Sequence, residues 1–449
     1  MKLSSNVGEC IELLQEVRER TLALITDLND EQLIGPRLSI VNPLRWEIGH
    51  VAWFQEYWVL RHLNRREPML DDGDALYDSA RVAHDTRWDL PLPSTLDTIS
   101  YMQRVLDQVI QLYDREEPTE DAAYFLSLVL LHENMHAEAI TSTRQTLGYA
   151  VPRLKVVDET ARSHSNESNG DVRNHEPLTD AFGDTFVPGG TFVLGSTPGK
   201  HFVFDNEMSA HEVEVQPYAI SRTAVTNVQY AAFIDGGGYD HQTLWDDEGW
   251  RWRESVGAKH PVYWRFTEGK WWRQNFDELV RLENYLPVLH INWFEADAFC
   301  RWAGRRLPTE VEWEVAARAE PTSDGRGIAT CMRQFPWGDE MPTLDRANLD
   351  WREMGCLDVR SLPAGDSAFG CRQMIGNVWE WTTSDFLPYP GFVPGPYKEY
   401  SEPWFGNHKV LRGGCWATCS LLIRNTYRNF YTPDRRDVWA GFRTCALTA

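Results

Sequence analysis

The chain has 449 residues, a net charge of −22 and a pI near 5.0, with 42% hydrophobic and 24% charged residues. At roughly 150 residues per domain, this length predicts two or three domains, each with enough apolar residues for a core. The acidic balance argues against nucleic acid, because phosphate binding requires concentrated lysine and arginine, and against docking to anionic lipid. Small molecules or further copies of the chain are therefore the expected partners.

The sequence contains no segment with the pattern of a signal peptide or of a transmembrane helix. Residues 1–20 have no apolar core, and no later run of about 18 apolar residues follows. The eight cysteines are sparse for this length and form no C-x-x-C pair, which is typical of reduced thiols. We expect a cytoplasmic protein without a membrane partner.

Helical periodicity dominates the first third of the chain. Four periodic segments cover about residues 6–28, 43–63, 96–114 and 119–148. Pro43 suits a first helical turn, Thr119 suits an N-cap, and Gly148 suits the position that follows a helix C-terminus. The pattern predicts a four-helix bundle over residues 1–155.

The composition changes after the predicted bundle. Residues 156–184 are rich in Ser, Asn, Asp, Glu and Gly and contain few apolar anchors, which predicts a linker. Residues 185–449 contain short strand-like segments with many Gly, Pro and Trp residues, and one helix is predicted at residues 292–304. This composition predicts an irregular α+β domain in which glycine permits tight turns and tryptophan rings fill the interior.

The stretch HENMH, residues 132–136, matches the H-E-x-x-H pattern of zinc proteases. On a helix His132 and His136 lie on one face, one turn apart, so both imidazoles can reach one metal ion. Zinc proteases of this type take a third ligand from downstream, but the continuation AEAITSTRQTLG has neither the glycine nor the histidine of that pattern. A protease is therefore disfavoured.

His50 is the candidate for the third ligand. It lies in the apolar stretch WEIGHVAWF, where an imidazole needs a partner. Its alternative role is that of a core histidine bonded to a neighbouring helix. Together with the pair His132 and His136, metal ligation is the favoured interpretation. Three neutral nitrogens suit Fe(II), Zn(II), Cu(II) and Ni(II) alike, so these residues leave the metal open.

Motifs spread over residues 185–447 resemble the formylglycine-generating, or sulfatase-modifying factor, family. They include FVPGGTFVLGS, WAGRRLPTEVEWEVAAR, GNVWEWT, VLRGGCWA and AGFRTC. The resemblance implies the C-type-lectin-like fold of that family. A DinB-like bundle carrying His50, His132 and His136, fused to such a domain, is similar to the sulfoxide synthases of ergothioneine biosynthesis, which bind Fe(II) through three histidines.

Within that family several stretches are most similar to the selenoneine synthase branch. They are WEIGHVAWFQEYW, VAHDTRWDLPLPS, FDNEMSAHEVEV, PAGDSAFGCRQMIGNVWEW and RNFYTPDRRDVWAGFRTC. The resemblance implies a non-heme Fe(II)- and O2-dependent oxidoreductase that joins selenium, from a selenosugar, to the imidazole of hercynine. A sulfoxide synthase that uses a thiol donor is the alternative.

The chain departs from the relatives that use γ-glutamyl-cysteine. Those sulfoxide synthases are similar at Arg87, Asn429 and Arg435, but they carry an arginine where this chain has His84 and an aspartate where it has Tyr431. Loss of one cation and one anion favours a different, less charged donor. The resemblance implies donor contacts at Arg87 and Arg435 and includes His84 among the substrate-binding residues. An ion pair at the surface or between domains is the alternative role of both arginines.

Hercynine carries a trimethylammonium group, which favours an aromatic face with oxygens nearby. By resemblance, Asn429 and Phe430 line the pocket for this group, whereas Trp379 and Trp381 are expected in the core. The family also uses a tyrosine near the iron as a proton donor. Tyr431 and Tyr397 are our candidates for that donor, and the nearby loops also carry Tyr389 and Tyr400.

Cys415 and Cys419 raise a second metal alternative, because formylglycine-generating enzymes bind copper through a cysteine pair. Two buried, inert thiols are the more ordinary role of such residues. A noncatalytic binding module is a third alternative, since a lectin-like fold does not by itself determine function. The intact histidines argue for catalysis.

Overall fold

Two units make up the part of the chain that this computed structural model describes, which is residues 7–113, 119–154, 182–197, 199 and 202–448. The first unit contains the described residues up to 154 together with residues 199 and 202, and the second contains residues 182–197 and 203–448. Most of the predicted linker, residues 156–181, lies outside the described residues, so its boundaries stay a prediction.

Helices form the first unit within the described residues. They are α1 (Val7–Ala23), α2 (Asp30–Ile34), α3 (Leu44–Gln55), α4 (Gly73–Tyr77), α5 (Thr95–Tyr113) and α6 (Glu120–Leu147). A π-helix, Glu56–Leu63, continues α3 without a break, and a short 3-10 helix covers His84–Thr86. The four segments that show helical periodicity in the sequence coincide with α1, with α3 and its π-helical extension, with α5 and with α6.

The ends of α6 follow the sequence signals. The Thr119 hydroxyl accepts a hydrogen bond from the Ala122 amide at the first turn, and Gly148 ends the helix in the left-handed region with φ of 65°. Helix α3 packs against α5 and α6, and α1 packs against α6. Apolar side chains from these faces form the buried core, among them Leu14, Val51, Phe54, Met102, Val105, Leu128 and Ile140.

Four α-helices lie in the described part of the second unit. They are α7 (Asn227–Asp235), α8 (Asp247–Val256), α9 (Trp293–Trp302) and α10 (Glu310–Arg318). Helix α9 is the one predicted from the sequence, and its N-terminus is closed by a capping box between Asn292 and Glu295.

Short strands form five small sheets in the second unit. The strands are β1 (Asp184–Val187), β2 (Gly190–Leu194), β3 (His211–Val215), β4 (Tyr218–Ser221), β5 (Trp264–Thr267), β6 (Lys270–Asn275), β7 (Glu278–Arg281), β8 (Arg305–Arg306), β9 (Ala319–Pro321), β10 (Ile328–Met332), β11 (Trp379–Asp385), β12 (Lys409–Arg412), β13 (Asn429–Tyr431), β14 (Ala440–Gly441) and β15 (Cys445–Ala446). The orders are β1-β4-β15-β8, β13-β12-β11-β14, β5-β6-β7, β2-β3 and β10-β9. Helices and short strands are both present, so the prediction of an irregular α+β domain is confirmed.

Tryptophan and glycine shape the interior of the second unit, as the composition predicted. Trp379 and Trp381 of β11 are buried, and the Trp381 indole donates to the Ile291 carbonyl oxygen at 3.0 Å. Gly376 has a φ of 82°, and a Cβ at this position would lie 2.5 Å from the carbonyl oxygen of Asn348. Only glycine permits both the backbone angle and the close approach.

No helix among the described residues is both long and apolar enough to cross a membrane.

Candidate metal centre

Three histidines of the first unit converge on one point. His50 comes from α3, and His132 and His136 come from successive turns of α6. Their ligand nitrogens all lie within 4.8 Å of one another, and the Nε2 atoms of His132 and His136 are 3.1 Å apart. Among the described residues, this is the one group of three or more histidine, cysteine or acidic side chains with metal-binding spacing.

The tautomer of His50 is determined by a backbone contact. Its Nδ1 lies 2.7 Å from the carbonyl oxygen of Tyr77, which can only accept, so the proton is on Nδ1 and the lone pair is on Nε2. The ring stacks on Trp46, with centroids 4.9 Å apart. Burial, with the nearby charge of His136, lowers the pKa of His50 to about 3. His50 is therefore a neutral imidazole with Nε2 available as a ligand.

His136 is held by a carboxylate. Its Nδ1 donates to Glu47 Oε1 at 2.6 Å, and Glu47 Oε2 accepts from the Asn42 side-chain amide at 2.7 Å. Burial by itself raises the pKa of Glu47, but His136, His50 and Asn42 together outweigh that effect and lower it. An ionised Glu47 fixes the proton of His136 on Nδ1 and leaves Nε2 free to bind, the usual arrangement of metal-ligating histidines.

His132 is the third histidine of the group, and it packs against an apolar side chain. The ring is buried and stacks on Phe54, with centroids 3.5 Å apart. Burial, together with the charges of His136 and His50, lowers the pKa of His132 well below its usual value. His50 and His132 are therefore neutral, and with His136 they offer three imidazole nitrogens, a donor set that fits a divalent transition metal and leaves coordination positions for other ligands.

Glu133, the acidic residue of the H-E-x-x-H pattern, is engaged elsewhere. The Arg18 guanidinium on α1 donates to both Glu133 oxygens, at 2.8 and 3.0 Å, and both side chains are only 2% exposed. Arg18 also donates to the Gln55 side chain and to the Met102 carbonyl oxygen. A carboxylate held in this way is not free to act as the base of a zinc protease, which adds a structural reason against that function. No sequence signal pointed to Arg18.

Arg87 lies close to the histidines. It is buried, it donates to the Asn42 side-chain oxygen at 2.6 Å and to the Val82 carbonyl oxygen at 3.3 Å, and its guanidinium carbon lies 3.8 Å from the centroid of the Trp46 ring. Burial lowers the pKa of Arg87. Its hydrogen bonds thus go to amide and carbonyl oxygens, and this differs from a surface ion pair. His84 donates from Nε2 to the Val41 carbonyl oxygen at 2.7 Å.

In the second unit, Asn429, Phe430 and Tyr431 form strand β13. Phe430 stacks on Phe386, with ring centroids 4.0 Å apart, and the Asn429 side chain accepts a hydrogen bond from the Phe430 amide at 2.8 Å. All three are partly exposed.

Arg435 forms an ion pair within the second unit, with the buried Asp437. Its guanidinium donates to both oxygens of Asp437 at 2.7 Å and lies 5.2 Å from the centroid of the Tyr431 ring. The side chain remains 25% exposed. The pair does not exclude a ligand contact, because a guanidinium carries five N–H groups.

The tyrosines of the neighbouring loops differ in burial. Burial raises the pKa of Tyr389 and of Tyr400 well above the usual value, and the Tyr400 hydroxyl lies 2.8 Å from that of Tyr427. Tyr397 stacks on Tyr400 with centroids 5.9 Å apart. Tyr431 is partly exposed on β13.

Cys415 and Cys419 are both buried in the second unit. The Thr418 hydroxyl lies 3.5 Å from the Cys415 sulfur and donates to it. Burial in the core agrees with the ordinary role of such thiols.

Comparison with known proteins identifies a family for each of the two units. The sulfatase-modifying factor enzyme 1-like domain matches residues 171–447, and the DinB superfamily matches residues 13–140. Hercynine oxygenase of Mycolicibacterium smegmatis is 35% identical over 95% of this chain and 96% of its own. Hercynine oxygenase of Mycobacterium tuberculosis is 36% identical over 96% of each chain.

The formylglycine-generating enzyme of Streptomyces coelicolor is 31% identical, over 60% of this chain and 90% of its own. The chain belongs to the sulfatase-modifying factor family and, because both units are matched over nearly their whole length, to the branch of it that contains the hercynine oxygenases.

Proposed function

We propose that this protein is a non-heme Fe(II)- and O2-dependent oxidoreductase that forms a carbon–selenium bond at the imidazole of hercynine, as a selenoneine synthase does. The cluster of His50, His132 and His136 carries the proposal, because three imidazole nitrogens can hold a metal while leaving positions for substrates. The relatives named hercynine oxygenase support the acceptor. A sulfoxide synthase that takes a thiol donor is the second candidate, supported by the same relatives.

The net reaction replaces the C–H bond at the imidazole carbon by a C–Se bond. Two electrons and two protons leave the C–H and Se–H groups, and O2 accepts them to form H2O2. If the chalcogen is also oxidised, one atom of O2 becomes the oxide oxygen and the other leaves as water. Iron, when bound, supplies the centre at which O2 is activated and the reactants are held together.

Residues of the first unit prepare the ligand nitrogens. The Tyr77 carbonyl and the Glu47 carboxylate hold the protons of His50 and His136 on Nδ1, so that both Nε2 atoms carry lone pairs. Trp46 and Phe54 cover the rings of His50 and His132 and exclude water from these faces. This packing maintains neutral imidazoles at physiological pH.

Asn429 and Phe430 are our proposal for the contacts to the trimethylammonium group of hercynine. An aromatic face attracts a quaternary ammonium ion, and the adjacent amide oxygen adds a partial negative charge. Arg87, Arg435 and His84 are proposed to bind the donor. The replacement of a cation by His84 and of an anion by Tyr431, relative to enzymes that use γ-glutamyl-cysteine, supports a less charged donor such as a selenosugar.

Tyr431 and Tyr397 are the proposed proton donors. A phenol hydroxyl carries one proton that it can donate to a bound reactant. The variants Tyr431→Phe and Tyr397→Phe distinguish the two tyrosines. Loss of the tyrosine that donates the proton should change the ratio of products, whereas the binding of hercynine should stay unchanged.

For the architecture we propose a four-helix bundle in residues 1–155, a linker in residues 156–184 and a C-type-lectin-like domain in residues 185–449. The matched family models support the order of the two domains.

The function is tested by product analysis. Metal-depleted protein is loaded with Fe(II) without oxygen, then exposed to air with hercynine and, in parallel, a selenosugar, cysteine or γ-glutamyl-cysteine. We expect a selenium-bearing imidazole product by mass spectrometry. His132→Ala should abolish it, whereas His241→Ala, an exposed histidine of the second unit, should not.

Each alternative has its own outcome. A sulfoxide formed from a thiol donor, with no selenium product, identifies a sulfoxide synthase. Activity that requires copper and is lost when Cys415 is replaced supports the copper alternative. Hercynine that is unchanged under every condition contradicts the proposed function and favours a binding module.

A further inference from the structure

A chain of hydrogen bonds runs from Arg87 to the ligand histidine His136. Arg87 Nη1 donates to Asn42 Oδ1 at 2.6 Å. Asn42 Nδ2 donates to Glu47 Oε2 at 2.7 Å, and His136 Nδ1 donates to Glu47 Oε1 at 2.6 Å. The three bonds connect a cation to an imidazole through one amide and one carboxylate.

Each donor meets an acceptor in all three hydrogen bonds between Arg87 and His136. Arg87 can only donate, so it accepts nothing from Asn42 and orients the amide with its oxygen towards the guanidinium. The amide N–H groups then face Glu47, whose carboxylate can only accept. Glu47 is 3% exposed, so water does not compete for these positions. The orientation of the amide and the proton on His136 Nδ1 thus depend on each other.

The two ligands His50 and His136 are held by different means. The main-chain carbonyl of Tyr77 holds His50, and no side-chain substitution removes that group. Side chains alone hold His136 at Nδ1, which makes its orientation depend on residues that can be changed. His136 is also more exposed than His50 and His132, with its side chain at 19%.

We propose that Asn42 and Glu47 are positioning residues that hold His136 as an Nε2 ligand, with Arg87 as the outer end of the relay. The proposal deepens the proposed function and rests on it, since it concerns the same three-histidine centre. The relay is the series of three hydrogen bonds from Arg87 through Asn42 and Glu47 to His136. It predicts that loss of Glu47 weakens metal binding more than loss of Asn42. Loss of Asn42 should in turn weaken it more than loss of Arg87.

Metal affinity tests the relay without substrates or turnover. Co(II) is titrated into metal-depleted protein and followed by its visible absorption. Replacing a group that orients a ligand typically weakens metal binding about 10- to 100-fold, so Glu47→Gln should raise the Kd for Co(II) within that range. Asn42→Ala and Arg87→Met should raise it by successively smaller factors.

Two controls match the variants in kind and burial. Glu56 is a buried carboxylate of the same unit that accepts from the Tyr101 hydroxyl at 2.6 Å and from the Met69 amide at 3.1 Å. Asn64 donates from its amide to the Val59 carbonyl oxygen at 2.7 Å. Glu56→Gln and Asn64→Ala should leave the Kd for Co(II) within about twofold of the parent, a difference below about 0.4 kcal/mol.

A second measurement reads the tautomer directly. In metal-free protein with 15N-labelled histidine, the ring of His136, identified by its loss in His136→Ala, should show the proton on Nδ1. Glu47→Gln should mix the two tautomers, and Glu56→Gln should not. This readout separates positioning from a general loss of stability.

The outcomes separate the relay from the proposed function. An unchanged Kd and an unchanged tautomer in Glu47→Gln overturn the relay, and so does an equal loss of affinity in the controls. Parent protein that binds no Co(II) and converts no hercynine overturns the proposed function, and the tautomer signal then decides the relay by itself. If Glu47→Gln does not fold, Asn42→Ala, at a half-buried position, gives the same comparison.

Discussion

The Nε2 atoms of His132 and His136 lie 3.1 Å apart on successive turns of α6. Both rings are packed so that these nitrogens face each other, and two lone pairs at this distance repel unless a cation or a proton lies between them. Burial disfavours the proton on His132. A metal ion bound by both nitrogens would remove this repulsion and use both lone pairs.

Metal binding should stabilise the first unit. A ligand at 100 times its Kd that binds only the folded state adds about 2.7 kcal/mol to the free energy of unfolding. Urea unfolding with and without Zn(II) or Co(II) measures this gain. His132→Ala and His136→Ala should remove it, and His241→Ala should keep it. Equal stabilisation of all four proteins would show that the ion binds elsewhere.

Gly49→Ala should disturb the centre through Tyr77. A Cβ at position 49 would lie 2.3 Å from the Tyr77 ring, and the Tyr77 carbonyl holds His50. Overpacking of this kind costs about 1–3 kcal/mol, partly offset by up to about 1 kcal/mol from the helix propensity of alanine. We expect lower stability by thermal unfolding and a higher Kd for Co(II).

Gly73→Ala is the matched control for that substitution. The nearest atom to a Cβ at Gly73 is Trp53 Cδ1 at 3.4 Å, an ordinary contact distance. Its stability should stay within about 0.5 kcal/mol of the parent. A Gly49→Ala variant that behaves like Gly73→Ala would mean that Tyr77 moves without cost.

Glu133→Ala should destabilise the fold rather than act on catalysis alone. It leaves the guanidinium of Arg18 buried without its carboxylate, and breaking a buried ion pair in this way costs about 3–5 kcal/mol. The double variant Arg18→Met with Glu133→Leu should lose less than the sum of the single variants, as measured by urea unfolding. Additive losses would show that the two residues act independently.

Acid should destabilise the second unit through His290. Burial lowers the pKa of His290 to about 3 from its usual value of 6.5, so between these pH values the unfolded chain binds a proton that the folded chain does not. The stability that neutral His290 contributes is fully present above pH 6.5. The free energy of unfolding then falls by about 1.4 kcal/mol for each pH unit between pH 6.5 and about 3.

His290→Asn should reduce this acid dependence. Asparagine tolerates the backbone φ of 59° at this position and can still donate to the Asp437 carbonyl oxygen. Urea unfolding at pH 4, 5, 6 and 7 should give a slope smaller by about one proton than in the parent or in His241→Asn. An unchanged slope would assign the acid sensitivity to other groups.

Donor preference should respond to the two positions that depart from the γ-glutamyl-cysteine enzymes. His84→Arg with Tyr431→Asp restores one cation and one anion. We expect the ratio of kcat/KM for γ-glutamyl-cysteine to that for a selenosugar to rise at least about tenfold, which corresponds to 1.4 kcal/mol. Product analysis with both donors in competition measures this ratio. An unchanged ratio would remove these two residues from the proposed donor site.

Local patterns predicted much of the fold because they report local physics. The three- and four-residue spacing of apolar side chains identified α1, α3, α5 and α6, and the cap at Thr119 and the glycine at 148 marked the ends of α6. The small sheets of the second unit were not predicted strand by strand. Several of their strands span only two to four residues and pair with distant parts of the chain, so no local period reveals them.

The sequence by itself determined that His132 and His136 share one face of a helix, because a spacing of four residues is a property of the helix alone. Only the tertiary structure decided that His50 joins them, that Glu47 holds the proton of His136, and that Glu133 is paired with Arg18, 115 residues away. Those relationships depend on how α1, α3 and α6 pack together, and packing between distant segments leaves no mark in the spacing of residues along any one of them.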